Sequence, residues 1–301
     1  MKKYALIVLL SINLMAGGTR NPKPIVGDDA ANAVQTDERS YFEMAMGKPV
    51  GRLTEEELKN RVLYTNFIGA GAIALWGTAF WDYFTTAPVA GDEGWFESNS
   101  KYGGADKLGH MYSSYLFSLG FASLFEYWGM SEEESLSYGP LTSLVIHGMM
   151  EVGDSFSESQ GFSYEDLIMN TLGAAFYYVR EKHPAVKETL DLRLEYVPDL
   201  NSGQDIFTQY DSMKYLMALK FSGFESMQDT PMKYFELQVG YYTRGYENHD
   251  AYSTKERVVY AGIGINSSEV LKALGWTKTS EVLHYYQLPY TYLPLEHDFN
   301  E

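Results

Sequence analysis

Between residues 105 and 179, imidazole, acidic, amide and hydroxyl side chains recur at helical spacing inside apolar runs. Asp106, His110, Ser114 and Ser118 are four residues apart, so on a helix they form one stripe. His147, Glu151 and Asp154 stand at i, i+4 and i+7, and Asp166 and Asn170 are one turn apart, with Gly173 continuing their face. Imidazole nitrogen and carboxylate oxygen suit divalent ions such as zinc or manganese. His110, His147 and Glu151 are the candidate metal ligands. An ion held there could activate water for attack on a lipid phosphate or ester. The catalytic candidates are His110, Glu151 as general base, Asp154, Asp166 and, as an anion holder, Lys107. Asp106, Asn170 and Ser114 are candidate binding residues. The chain has no HExxH zinc motif, no GxSxG elbow and no PSGH-type phosphatase motif.

Two other readings use the same residues. Burying a polar group without a partner costs a few kcal/mol, so three such stripes are best placed facing one another inside a bundle. They can then be a structural network. Asp106 and Lys107 would be solvated at a helix start, Asp166 would cap a helix, Asn170 would bond backbone, and buried histidine would donate to a carboxylate or carbonyl. A ligand-binding pocket is the third reading.

The elements that position these residues follow from capping and periodicity. Thr54 with Glu57 and Ser131 with Glu134 have the spacing of capping boxes, and each should open a helix. Residues 62–81 then run for 20 positions without a charge, enough to cross a bilayer or to form a fully buried central helix. The small residues Gly69, Ala70, Gly71 and Ala72 would let a second helix approach closely. Residues 86–104 read as a loop, and the Asp106 helix should end near Gly129. Gly139-Pro140 should break or start the helix that carries His147. After a polar turn at 155–161, Ser163 should open the last long helix, which ends before Pro184.

From Leu190 onward the period changes to that of strands, with runs at LRLEYV, KYLMALKF, KYFELQVGYY and RVVYAGIGIN. These give three or four antiparallel strands, too few for a barrel of about eight in one chain. SSEVLKALG should be a short capped helix, and YYQLPYTYLPLEH an extended aromatic tail. The expected fold is α+β: a membrane-associated helical bundle of about four to five helices, then a small antiparallel β-sheet. The expected divisions are a signal peptide at 1–18, a flexible arm at 19–52, the bundle at 53–185 and the sheet with its tail at 186–301. Lys2, Lys3 and the apolar run from Tyr4 to Met15 are the marks of the signal.

Composition narrows the partners. The net charge of −17 disfavours nucleic acid and simple attraction to anionic lipid headgroups. The 25 Tyr and 16 Phe suit a lipid–water interface, so membrane lipid is an expected partner and an envelope protein or glycan a further one. No cysteine is present, which removes disulfides, thiolate metal sites and cysteine lipidation within these residues.

The segment from Gly104 to Val179 resembles the YfiM family of predicted periplasmic lipoproteins of unknown function, and more loosely the VanZ-like membrane proteins. The likeness is carried by Asp106-Lys107 with His110, Gly148 with Glu151 and Asp154, Gly161-Phe162-Ser163, and Asp166 and Asn170 with Leu172-Gly173. It implies a helical, membrane-proximal bundle in a bacterial, Gram-negative envelope, and it brings no established reaction. The sequence departs from the family in having no cysteine to lipidate. The expected function is therefore a cell-envelope protein with an internal His/Glu/Asp cluster. The alternative is a membrane-embedded, metal-dependent hydrolase or transferase acting on a lipid-linked substrate.

Overall fold

A computed structural model describes residues 53–91, 93–200, 205–247 and 252–300. The expected signal peptide and arm lie outside these residues. Four long helices come first: α1 (Glu55–Phe80), α2 (Ala105–Tyr127), α3 (Glu132–Asp154) and α4 (Tyr164–Lys182). A short α5 (Pro184–Thr189) leads into β1 (Leu190–Tyr196), β2 (Met213–Lys220), a single turn α6 (Glu225–Gln228), β3 (Phe235–Arg244) and β4 (Glu256–Ile265). Helices α7 (Ser267–Ala273) and α8 (Thr277–Val282) precede β5 (Tyr292–Asp298). The α+β expectation holds.

Both expected capping boxes form, with the Thr54 hydroxyl accepting from Glu57 N–H and the Ser131 hydroxyl from Glu134 N–H. Each satisfies donors that the first turn would otherwise leave bare. Ser163 caps α4 by accepting from Asp166 N–H. Helix α2 has no side-chain cap and begins instead from Gly103 and Gly104, at φ 64° and 89°. Two consecutive left-handed residues turn the chain sharply into α2, and a side chain at 104 would overlap the Phe96 ring.

Three expectations need correction. Gly139-Pro140 does not interrupt a helix, since α3 runs unbroken from Glu132 to Asp154 with Pro140 inside it. Gly139 lies directly on Ala122 and Ser118 of α2, and this packing outweighs proline's local preference. Helix α1 is not a buried central helix. It is long and apolar enough to cross a membrane, but only 11% of its apolar window is buried, and it exposes Phe67, Ile68 and Leu75. The sheet has five strands rather than three or four. The additional strand, β5, lies in the tail read as extended and contains Pro294. An edge strand tolerates proline, because its missing N–H need not feed a ladder.

The sheet is antiparallel in the order β1-β2-β3-β4-β5. Helix α2 packs on one end of one sheet face, where Tyr112, Tyr115 and Leu119 meet Leu192, Met213 and Tyr215. A buried ionic network ties helices to sheet. Asp191 receives Arg180 of α4 at 2.9 Å, Arg193 at 2.7 Å and Lys220 at 2.8 Å, with His284 Nδ1 at 2.9 Å. These cations hold the Asp191 carboxyl well below its usual range, against the desolvation that would raise it.

Candidate functional site

Three helix ends meet at the expected cluster: the first turns of α2 and α4 and the last turn of α3. The partial positive charge at the starts of α2 and α4 suits the carboxylates there, Asp106 on α2 and Glu165 and Asp166 on α4, of which Asp106 and Asp166 enter the cluster. The stripes do face one another. The Ser114 hydroxyl of α2 donates to the Asn170 carbonyl of α4 at 2.7 Å, and Ser143 Oγ of α3 donates to the Ser114 carbonyl at 2.9 Å. Ser114 thus joins all three helices. The Asn170 side chain is fully buried, and its amide has no hydrogen-bond partner among the described residues.

Lys107 is the hub of the acidic side. Its Nζ lies 2.7 Å from Glu93, 2.9 Å from Asp106 and 2.9 Å from Asp166, and the side chain is 0% exposed. Desolvation would lower its pKa, but the three carboxylates outweigh it and raise the value, so the ammonium stays charged. This corrects the role expected of Lys107. A sealed ammonium shared by three carboxylates does not hold a substrate anion, and Asp106 is engaged in the same way. Glu93, from the loop before α2, carried no sequence signal because loops have no periodicity to read. Burial raises its pKa to about 7, with Lys107 opposing.

On the other side of Asp166 stands His110. Its Nδ1 lies 3.6 Å from Glu151 Oε1, and its Nε2 lies 3.7 Å from Asp166 Oδ2. Both separations are too long for hydrogen bonds. His110 Nδ1 and Glu151 Oε1 have no hydrogen-bond partner among the described residues. One donor atom each from His110, Glu151 and Asp166 falls within 4.8 Å of the others. Two donors about 2.1 Å from one ion stand about 3.4 Å apart at the tetrahedral angle, so small side-chain movements would close the set. The two imidazole nitrogens face different carboxylates, so His110 would turn one of them toward an ion shared with Glu151 and Asp166. Glu93, Asp106 and Asp166 form a second acidic group of ligand-like geometry, but Lys107 already supplies its cation.

Desolvation raises the Glu151 pKa to about 8, partly offset by His110. Asp154 rises to about 6 by burial, partly offset by the Tyr83 hydroxyl beside it. Burial would lower the His110 pKa, but Asp166 and Glu151 outweigh it and raise it. Asp166 goes down because His110 and Lys107 overcome its desolvation. Glu151 of α3 and Asp166 of α4 are thus driven in opposite directions, the condition for dividing acid and base roles.

His147 is set apart from this group. Its Nδ1 faces the Ser143 carbonyl at 2.9 Å and its Nε2 the Ser113 hydroxyl at 3.0 Å, and its ring lies 5.1 Å from Phe117. Although His147 shares a helix face with Glu151, one turn of rise and this serine pair direct it elsewhere. The structure therefore groups His110 and Glu151 with Asp166, and not with His147 as the expected ligand set had it. Desolvation lowers the His147 pKa to about 4 from an ordinary 6.5. Between these values the unfolded imidazole binds a proton and the folded one does not, so stability falls as pH drops from 6.5 toward 4. The full difference is about 3 kcal/mol. Urea denaturation at several pH values should show this slope, and His147→Gln should flatten it.

The class defined by fold and site is an α+β protein whose helical part carries a buried mixed nitrogen–oxygen site where three helix ends meet. Residues 92–182, spanning every residue of that site, match a family described as "Predicted periplasmic lipoprotein (DUF2279)". That match puts the protein in the cell envelope, on the periplasmic side. No curated protein and no solved structure matches the chain.

Proposed function

We propose that this envelope protein holds a divalent cation on His110, Glu151 and Asp166 and uses it as a hydrolytic centre, with Asp154 and the sealed Lys107 group setting its charge. The observation that carries the reading is that His110, Glu151 and Asp166 of three helices bring one donor atom each within 4.8 Å, while His110 Nδ1 and Glu151 Oε1 have no hydrogen-bond partner among the described residues. Three protein ligands leave a position for water, the pattern of catalytic rather than structural zinc sites. His110 retains 15% side-chain exposure, which gives the centre an approach from solvent. Without an ion Glu151 keeps its proton at neutral pH, so binding would release it. Once ionised, Glu151 can serve as ligand or as base toward bound water. The kinship to YfiM-like and VanZ-like proteins, and a lipid-linked substrate, belong to this proposal.

A second reading is favoured by Lys107. Its ammonium already neutralises part of the acidic charge, so a protonated His110 between Glu151 and Asp166 would complete a purely ionic lock. Elemental analysis of the full chain purified without chelator separates the two. The metal reading expects about one zinc or manganese per chain, reduced severalfold in Glu151→Gln and in Asp166→Asn. Absence of metal from protein that also fails to take up either ion on dialysis would leave the lock.

A further inference from the structure

The sheet has a buried face of mixed polarity and an exposed apolar face. Paired residues point to the same side, so register defines its faces. One face carries Asp191, Arg193, Lys220, Glu236 and Gln238, all 2% exposed or less, beside a buried apolar cluster of Leu216, Tyr242, Val258 and Tyr260. Arg193 Nη1 binds Glu236 at 2.7 Å, and Gln238 Nε2 donates to Glu236 at 2.7 Å. The other face is apolar. Beyond the end covered by α2 it aligns Met217, Val239, Ala261 and Leu295 in one row and Leu219, Leu237, Ile263 and Leu293 in the next. Val239 is 57% exposed, Ile263 56%, Leu293 81% and Leu295 82%. A sheet face that meets water is usually polar; an exposed apolar face suits an apolar medium.

The same face runs into a groove of about 460 Å³ lined by Phe96, Leu108, Tyr241, Arg257, Val259 and Phe299. Along β4 the order is Arg257, Val259, Ala261, Ile263 and Ile265, a cation at one end of an aliphatic track. Among the described residues, the Arg257 side chain makes its hydrogen bonds to neutral acceptors: Asn300 Oδ1 at 2.7 Å, the Phe299 carbonyl at 3.5 Å and the Phe96 carbonyl. Guanidinium has five N–H donors, so about two remain for an anion.

We infer that this face docks on a phospholipid leaflet, with acyl chains against the rows of Val239 and Ile263 and a headgroup phosphate at Arg257. Two observations favour lipid over a second copy of the chain. Apolar side chains are also exposed on α1 (Phe67, Ile68), on α3 (Val145, Met149) and on α4 (Ile168, Leu172), and one twofold contact would not cover so many elements. The β5 edge also opposes strand pairing. The Ile265 N–H bonds the Thr291 carbonyl, and the Phe299 N–H bonds the Arg257 carbonyl. That parity turns the Pro294 nitrogen outward, where a partner strand would need a donor. With no cysteine to carry a lipid, such a face gives the protein another hold on the membrane.

The absence of cysteine makes the test clean. The full chain with Leu295→Cys would carry one environment-sensitive fluorophore and be mixed with vesicles of equal parts phosphatidylethanolamine and phosphatidylglycerol. The expected result is a blue shift and quenching by doxyl-labelled acyl chains. Adding Val239→Asp and Ile263→Asp, both at exposed sites, should weaken the response about tenfold or more, as expected when charges enter hydrocarbon. Arg257→Gln should weaken the response to the same vesicles severalfold. A label that stays in water while the protein floats with vesicles would overturn the inference. A blue shift without vesicles, accompanied by a dimer mass, would do the same and make the occupant a second copy. Metal content of these variants should match the parent, so failure here is separable from failure at the His110 site.

Discussion

Lys107→Met should be the most damaging single change in the helical part. Methionine matches the length of the lysine stem, so packing is largely kept while the charge is removed. Glu93, Asp106 and Asp166 would then face one another without their shared cation, all three within 2.9 Å of the lost ammonium. Removing one partner from a buried ionic group costs about 3–5 kcal/mol. That is a large share of a typical domain's total stability of about 5–15 kcal/mol. Thermal and urea unfolding followed by circular dichroism should show the loss. Adding Asp166→Asn should recover part of it, because one of the stranded charges is gone. If Lys107→Met unfolds at the parent's midpoint, the lysine is not the hub of the group.

Gly173→Ala should come close in effect. A methyl at 173 would overlap the Met111 carbonyl, with the Tyr115 nitrogen 3.0 Å away, all backbone of α2. Backbone cannot swing aside as a side chain can, so α2 and α4 would have to separate where Ser114 bonds the Asn170 carbonyl. A cost of about 3 kcal/mol fits the upper range for overpacked cores. Gly148 supplies the contrast. It belongs to the same family-like motif, but a methyl there meets nothing within 4 Å. Gly148→Ala should therefore stabilise the helix by up to about 1 kcal/mol. Comparable losses for the two variants would show that the crossing is looser than described.

These residues show how far the sequence could be read. The stripe of Asp106, His110 and Ser114, and the capping at Thr54, Ser131 and Ser163, were legible because helical spacing and helix starts are local properties. That Asp106 and Lys107 would be sealed rather than solvated was not legible, because it depends on Glu93 arriving from a loop. The separation of His147 from Glu151 was hidden for a related reason: shared helix face does not specify which neighbour a ring meets. Strand β5 escaped because Pro294 argues against a strand unless its place at the sheet edge is known. The sheet's apolar face was present as alternation, but alternation does not say which face is covered.

Calorimetric or fluorescence melting of the full chain with and without zinc or manganese bears most directly on the proposal that three helix ends form one cation site. An ion at about 100 times its dissociation constant should stabilise the fold by about 2.7 kcal/mol, seen as a rise in Tm of several degrees. Glu151→Gln and Asp166→Asn should abolish the rise, while His147→Gln should keep it. A parent protein whose Tm is unmoved by either ion, or a rise that survives both carboxylate variants, would contradict the site.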